Sequence, residues 1–210
     1  RQLSSDFPDN KKVIGLFGHL KEKKGGLFLL DSIKKSGLLH KLHLLIVGEL
    51  SVETSEWLAK EENGISHTFV SFLPRDQLIP YYLSCDCIAI PSYYDGTPNV
   101  LLEAGVLGIP VLASNVAGMR DVLQEGKRGV LFSAGNFHQL RYALESLVSG
   151  DYEEWKALAA KLKIYIEEYL TVEKESGAYT RAFFEGQRGI KLTTVSAPEY
   201  AEEQPVVEEQ

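Results

Sequence analysis

The sequence predicts an α/β chain built on a doubly wound parallel sheet with strand order 3-2-1-4-5-6. Three observations carry this. Short continuous apolar runs alternate with longer stretches of helical spacing, the pattern of a parallel sheet covered on both faces. Several of those runs stop at Gly or Pro, where a strand turns into a loop. A chain of 210 residues with 44% apolar composition is long enough to bury both faces of one such sheet.

The elements follow in order. Val13 to Phe17 is a short apolar strand closed by Gly18, followed by the charged loop HLKEKKGG. Leu27, Leu30, Ile33 and Lys34 then fall at helical spacing. Leu42 to Val47 is a second strand ended by Gly48. Ser51 to Asn63 is an acidic amphipathic helix carrying Trp57 and Leu58, stopped by Asn63-Gly64. Ile65 to Val70 is a third strand, and Asp76 to Ser84 a short helix in which Pro80 imposes a bend. Cys87 to Ile90 is the fourth strand, ended by Pro91, and Asn99 to Leu107 is helix. Val111 to Ser114 is strand, Met119 to Gln124 a short helix and Gly129 to Phe132 a last strand. Phe137 to Val148 and Tyr152 to Leu170 are long helical patterns, and Thr171 is placed to cap a final helix reaching Gly186. From Gly189 the sequence turns polar and acidic, so the expected organisation is a leader over 1–10, one domain over 11–188 and an acidic tail over 189–210. No internal repeat is found.

Composition narrows the function. The net charge of −7 argues against a nucleic-acid partner or an anionic membrane surface. Five of the acids, Glu199, Glu202, Glu203, Glu208 and Glu209, lie in the tail; without them the charge falls to −2, and the body is close to neutral. Cys85 and Cys87 flank a single residue and read as buried thiols of a reducing compartment, which points to a cytoplasmic location; a lone C-x-C lacks a partner pair for metal binding. No signal peptide and no apolar run fit to span a bilayer are found. The chain starts at Arg1 rather than Met, and is expected to be part of something longer.

In a sheet of this order the ligand crevice opens at the carboxyl ends of the strands, where the winding reverses between the first and fourth. The loops leaving those strands are Gly18 to Gly26 and Pro91 to Asn99, about seventy residues apart in sequence and adjacent by topology. In the second, Thr97 occupies a capping position and Pro98 the first helical turn, leaving the N–H groups of Asn99 and Val100 pointing out of the helix. Such a terminus favours an anion, by about 0.3–2 kcal/mol per charge. A diphosphate suits it, with the lysines of the first loop as counter-charge. Neither loop is a G-x-G-x-x-G or a phosphate-cradle NTPase loop. Glu103 lies one turn beyond Asn99, so it is expected to face the same crevice. It is surrounded by Leu101, Leu102, Ala104, Val106 and Leu107, and a carboxylate among such neighbours needs a partner or a ligand.

The stretch PSYYDGTPNVLLEAGVLGIPVLAS, residues 91–114, closely resembles the donor-binding half of retaining GT-B glycosyltransferases, whose run reads P-S-x-x-E-G-x-x-N-V-x-L-E-A-x-A-x-G-x-P-V-x-A-S. Upstream, GLFGHLKEKKGG resembles that family's phosphate loop, G-R-L-x-x-x-K-G, and the resemblance runs from about Lys11 to Gly186. It implies one half of a GT-B fold that is Rossmann-like. It also implies transfer of a sugar from a nucleotide-diphosphate sugar to an acceptor hydroxyl with retention, in glycan or polysaccharide synthesis. By this resemblance Lys24 neutralises the donor diphosphate and Glu103 holds the ribose hydroxyls. Gly18 and His19 belong to the phosphate loop, while Gly96, Thr97, Pro98, Asn99 and Val100 supply the turn and helix start around sugar and phosphates. Phe72 and Leu73 take the place of contacts to the base, and Asp95 that of the first acid, near the sugar hydroxyls. Asp95 and Lys24 are thus the expected catalytic pair, and no metal or other cofactor is implied.

Three positions depart from the family pattern: His19 stands for Arg, Asp95 for Glu and Ser71 for Gly. The histidine gives up a permanent charge and a bidentate fork. His40, His43, His67 and His138 are expected in packing or surface roles. The family's acceptor-binding half is N-terminal and lies outside this chain, on the same or another polypeptide, so the fragment alone is expected to bind donor without efficient transfer. Peripheral membrane association through that missing half stays open. Two other readings are carried alongside: a nucleotide-binding interaction module that has lost catalysis, and a sugar epimerase on the same scaffold.

Overall fold

The computed structural model describes residues 7–8, 10–74, 77–150 and 152–170. Among them, six strands form one parallel sheet in the order β3-β2-β1-β4-β5-β6, as the sequence pattern predicts. The strands are β1 (Lys12–Leu20), β2 (Leu42–Leu50), β3 (His67–Val70), β4 (Cys87–Ile90), β5 (Val111–Ser114) and β6 (Val130–Phe132). The helices are α1 (Gly26–Ser36), α2 (Val52–Ala59), α3 (Ile79–Leu83), α4 (Asn99–Val106), α5 (Ala117–Val122), α6 (Phe137–Ser149) and α7 (Tyr152–Tyr169).

The period-two geometry of the strands divides the core into two layers. Ile14, Leu16, Leu44, Ile46, Cys87, Ala89 and Leu112 point to one face, where α1 and α6 cover them with Leu29, Leu30, Ile33, Leu140 and Leu144. Val13, Phe17, Leu45, Val47, Ile88, Ile90, Val111 and Ala113 point to the other, beneath α3, α4 and α5. Helix α7 serves both: Trp155 packs on the first face, Leu162 and Ile166 on the second. Phe7, from the stretch expected as a leader, is buried in the second layer and meets the ring of His43 edge-on. Both cysteines are buried and free, and burial pushes the Cys87 thiol up.

Several boundaries differ from expectation. β1 and β2 run past Gly18 and Gly48 to Leu20 and Leu50, because the two glycines face each other in the parallel register. Both have positive φ, and a Cβ on Gly48 would overlap the Gly18 carbonyl, so this close approach belongs to the ladder and does not end it. The helix expected over 51–63 is instead α2, capped by the Ser51 hydroxyl on the Thr54 N–H, then a separate 3₁₀ turn, Glu61–Asn63. The Asn63 side chain donates to the Trp57 carbonyl at 2.6 Å and so closes the helix early. In α3, Pro80 lies in the first turn, where its missing N–H costs little, and the helix starts there rather than bending. α5 begins at Ala117 and ends at Val122, two residues earlier at each end than its sequence pattern. The helix expected over 171–186 and the acidic tail lie outside the described residues.

Candidate functional site

The two loops that topology should bring together do meet. The N–H of Tyr93, after β4, donates to the carbonyl of Lys23, after β1, at 3.0 Å. Gly25, with positive φ, sits so close to the Pro91 carbonyl that a side chain there would collide with it. Between the loops lies a crevice of about 290 Å³ at the carboxyl ends of β1 and β4. Gly18, His19, Lys24, Asp95, Pro98, Asn99 and Val100 all line it, so seven of the sequence-predicted residues share one cavity.

Lys24 and Asp95 pair across this crevice. The Lys24 Nζ donates to Asp95 Oδ2 at 2.6 Å, and the Ser92 hydroxyl donates to the same oxygen at 3.1 Å. A short 3₁₀ turn, Glu22–Lys24, ended by the left-handed Gly25, aims the lysine inward. Helix α4 opens on this same cavity. Its N-cap is Pro98 rather than the expected Thr97, with no side-chain cap bond. Thr97 precedes a proline, which disfavours helical geometry there, and its hydroxyl rests against Gly118 near the start of α5. The N–H groups of Asn99 and Val100 therefore stand at the positive end of the α4 dipole, next to an ammonium. A cavity with this lining suits an anion of two or more charges.

His19 sits on β1 and not in the loop, directly across the ladder from Glu49 of β2. Its Nδ1 lies 2.7 Å from Glu49 Oε2, both side chains being more than half exposed. This pair forms the wall between the crevice and a wider groove over β2, α2 and β3. Phe72 lines that groove and is largely exposed, while Leu73 packs with the buried layer around Phe17 and Tyr82. The two residues expected together at the base are thus split between groove and core.

Glu103 is displaced in the same sense. It does not line the Lys24 crevice but the adjacent cavity between α3 and α4, of about 280 Å³, with Leu78, Tyr82 and Val106. There it accepts a hydrogen bond from the Tyr82 hydroxyl at 2.7 Å. Tyr82 is buried and stacks on Phe17, with ring centroids 3.9 Å apart and planes at 8°, and Phe17 lines the crevice. One aromatic pair therefore separates Glu103 from Lys24. Gly96 lies in the turn before Thr97 and packs against Gly118. Sequence reasoning missed Tyr82, Glu49 and Ser92. Glu49 was accessible through the register of two strands; Tyr82 carried no signal beyond an ordinary apolar position.

The other histidines behave as packing and surface residues: His43 is buried between Ser66 and Thr68, with its ring nitrogens 2.8 and 3.0 Å from their hydroxyls. Among the described residues, no group of three or more His, Cys, Asp or Glu could hold a metal, and no helix is long and apolar enough to cross a membrane.

Residues 3–168 match the family described as "Glycosyl transferases group 1". A D-inositol 3-phosphate glycosyltransferase of Corynebacterium jeikeium is 33% identical over 155 residues, 69% of this chain and 37% of that protein. The capsular polysaccharide biosynthesis glycosyltransferase CapM of Staphylococcus aureus is 27% identical over 146 residues, 66% of this chain and 37% of that one. The chain thus spans about two fifths of the length of the curated relatives it matches. Among solved structures, sucrose-phosphate synthase of Thermosynechococcus elongatus superposes with a TM-score of 0.75 at 22% identity, over 88% of this chain and 48% of that one. Anabaena HepE, solved in complex with UDP and glucose, gives 0.70 at 20% identity, over 83% and 49%. The C-terminal domain of a group 1 glycosyl transferase from Francisella tularensis gives 0.69 at 17%, over 81% of this chain and 92% of that domain. These structural likenesses establish the fold.

Proposed function

The chain belongs to the group 1 glycosyltransferases, and from that premise we propose that it is the donor-binding half of a retaining hexosyltransferase. It takes a sugar from a nucleotide-diphosphate sugar and passes it to an acceptor hydroxyl held by a second domain or subunit. The observation that carries this reading is the meeting of Lys24, Asp95 and the open N-terminus of α4 in one crevice.

The chemistry follows from charge. When the bond between the anomeric carbon and the β-phosphate oxygen breaks, the electron pair goes to the departing diphosphate. The Lys24 ammonium and the N–H groups of Asn99 and Val100 are already oriented toward that developing charge, which is the most effective form of electrostatic catalysis. The acceptor oxygen forms the new bond on the same face of the sugar, and its proton leaves with the nucleotide diphosphate. Asp95, held by Lys24 and Ser92, accepts from a sugar hydroxyl and fixes its orientation. Glu103 serves the ribose, and the exposed Phe72 the base. The phosphate charge is met by protein groups, without a metal. Uridine nucleotides are the first donors to test, since HepE was solved with UDP and with UDP-glucose.

Titration of the full-length protein with UDP, GDP and ADP, followed by turnover with the matching nucleotide sugars, tests the proposal. One nucleotide diphosphate should bind at micromolar to sub-millimolar concentration, and its sugar should be transferred. Absence of binding to all three at millimolar concentration would sink it, whereas binding without turnover would favour an interaction module.

A further inference from the structure

His19 lines the diphosphate crevice, yet its side chain bonds away from it. Its Nδ1 lies 2.7 Å from Glu49 Oε2, and no other hydrogen bond of the imidazole is found among the described residues. An ionised carboxylate only accepts, so Nδ1 carries the hydrogen of this pair. Glu49 stands on β2, on one side of β1, while β4 and the crevice stand on the other. The two ring nitrogens sit on opposite edges of an imidazole. With Nδ1 turned toward β2, Nε2 is turned away from it, to the crevice side of β1.

We propose that Glu49 is a positioning residue for proton-dependent donor binding: it turns Nε2 of His19 to the crevice, where a diphosphate is held more tightly once that nitrogen carries a proton. The inference rests on the donor-binding reading and deepens it. While Glu49 holds the Nδ1 hydrogen, the neutral ring shows the crevice only a lone pair, which a phosphate oxygen, itself an acceptor, cannot use. The imidazolium shows an N–H and a positive charge, and its bond to phosphate is charge-assisted. Proton and diphosphate thus favour the same form of the site, and by linkage each tightens the binding of the other. Affinity is highest at low pH, where the ring is charged before the donor arrives, and falls as pH rises through the titration of the ring in the complex. An arginine at position 19, always charged, has no such dependence.

Other charged groups surround the pair. Lys24 and Asp95 line the crevice, Glu56 and His67 line the groove on the Glu49 side, and Lys21, Glu22 and Lys23 follow β1 in the same loop. Substitution at position 19 isolates the ring from them. The probe is UDP-glucose, or the glucose ester of GDP or ADP where that nucleotide is the one bound, because phosphates esterified on both sides keep their charge over the range in which a terminal phosphate titrates. Calorimetric titration of the full-length protein between about pH 6 and 8.5 should show wild type binding about three- to tenfold more tightly at the low end, a charge-assisted bond discounted for exposure. His19→Gln should remove the gain. His19→Arg should bind with nearly one affinity throughout, close to the low-pH value of wild type. Glu49→Ala should lose most of the gain; because the gain is a ratio across pH, any uniform effect of removing the carboxylate cancels. Both side chains are more than half exposed, so these variants keep the fold.

Buffers of different ionisation enthalpy add a second readout: wild type should take up a fraction of one proton per donor near neutral pH, and His19→Gln none. Failure of all three nucleotide sugars to bind at every pH overturns the donor-binding reading and this inference together. Binding in wild type with an affinity independent of pH overturns the inference alone, as does a gain that survives in His19→Gln. A full gain in Glu49→Ala overturns the positioning role, for the ring would then find its orientation without the carboxylate.

Discussion

Lys24→Ala and Asp95→Asn should change nucleotide diphosphate affinity in opposite directions, although the two residues share one ion pair. The side chains are 34% and 15% exposed, so the pair lies at the protein boundary and not in a dry interior. At an effective dielectric of about 20, an ammonium roughly 4 Å from a phosphate is worth about 4 kcal/mol. Asp95 already takes part of that charge, and solvent screens the rest, leaving roughly 1.5–3 kcal/mol. Lys24→Ala should therefore weaken UDP, or whichever diphosphate binds, by about 10- to 150-fold. Asp95→Asn removes a competing anion and frees the ammonium, so the same ligand should bind about two- to tenfold more tightly. Sugar transfer should fall in both variants. Neither change should displace the loops, because the Tyr93–Lys23 backbone bond and the Gly25–Pro91 packing hold them independently. Titration calorimetry at low and high salt measures both effects, and the difference between the variants should shrink as salt rises. Equal losses in the two variants would mean that the pair is a strut between loops, and the charge argument would be wrong.

Two further outcomes follow from the same wall of the crevice. Gly48→Ala places a Cβ on the Gly18 carbonyl at a positive φ, and should destabilise the fold by about 2–4 kcal/mol, read as a fall in thermal midpoint. His19→Arg keeps the Glu49 partner across the ladder, adds a permanent charge and a bidentate fork, and should tighten diphosphate binding about three- to tenfold by calorimetry.

How much of this was legible depended on what kind of information each feature needs. β4 and β5 could be read to the residue, because a fully buried strand is a continuous apolar run with abrupt ends. The convergence of the loops after β1 and β4 was legible from topology, since strand order dictates which loops meet, while the resemblance singled out Lys24 and Asp95 within them. The ends of β1 and β2 were not. A glycine in isolation reads as a breaker, and only the register shows that Gly18 and Gly48 exist to let two strands approach each other. The same register makes His19 and Glu49 neighbours, so one misplaced boundary hid a contact at the site. The Tyr82–Glu103 bond was least accessible, because it depends on how α3 and α4 pack, which no periodicity in either helix encodes.

The apolar helix with its single acid now has a physical account. α4 buries Leu101, Ala104 and Gly105 against the sheet and α7, and Gly105 has no room for a side chain beside Leu162 and Ile166. Its remaining arc carries Leu102, Glu103 and Val106 toward α3, while its first N–H groups face the Lys24 crevice. Asn99 and Glu103 are four residues apart, a rise of about 6 Å along the axis. Under the proposed function, that separation is a ruler: phosphate at the helix start and pentose one turn on, alongside the stacked rings of Phe17 and Tyr82. Moving the acid by one position would rotate it about 100° around the axis. At 104 it would be driven into the core. A carboxylate at 103 meets the tyrosine and stays within about one turn of the helix start, and the Tyr82 hydroxyl is one of the groups that lets a helix otherwise built for burial carry it there.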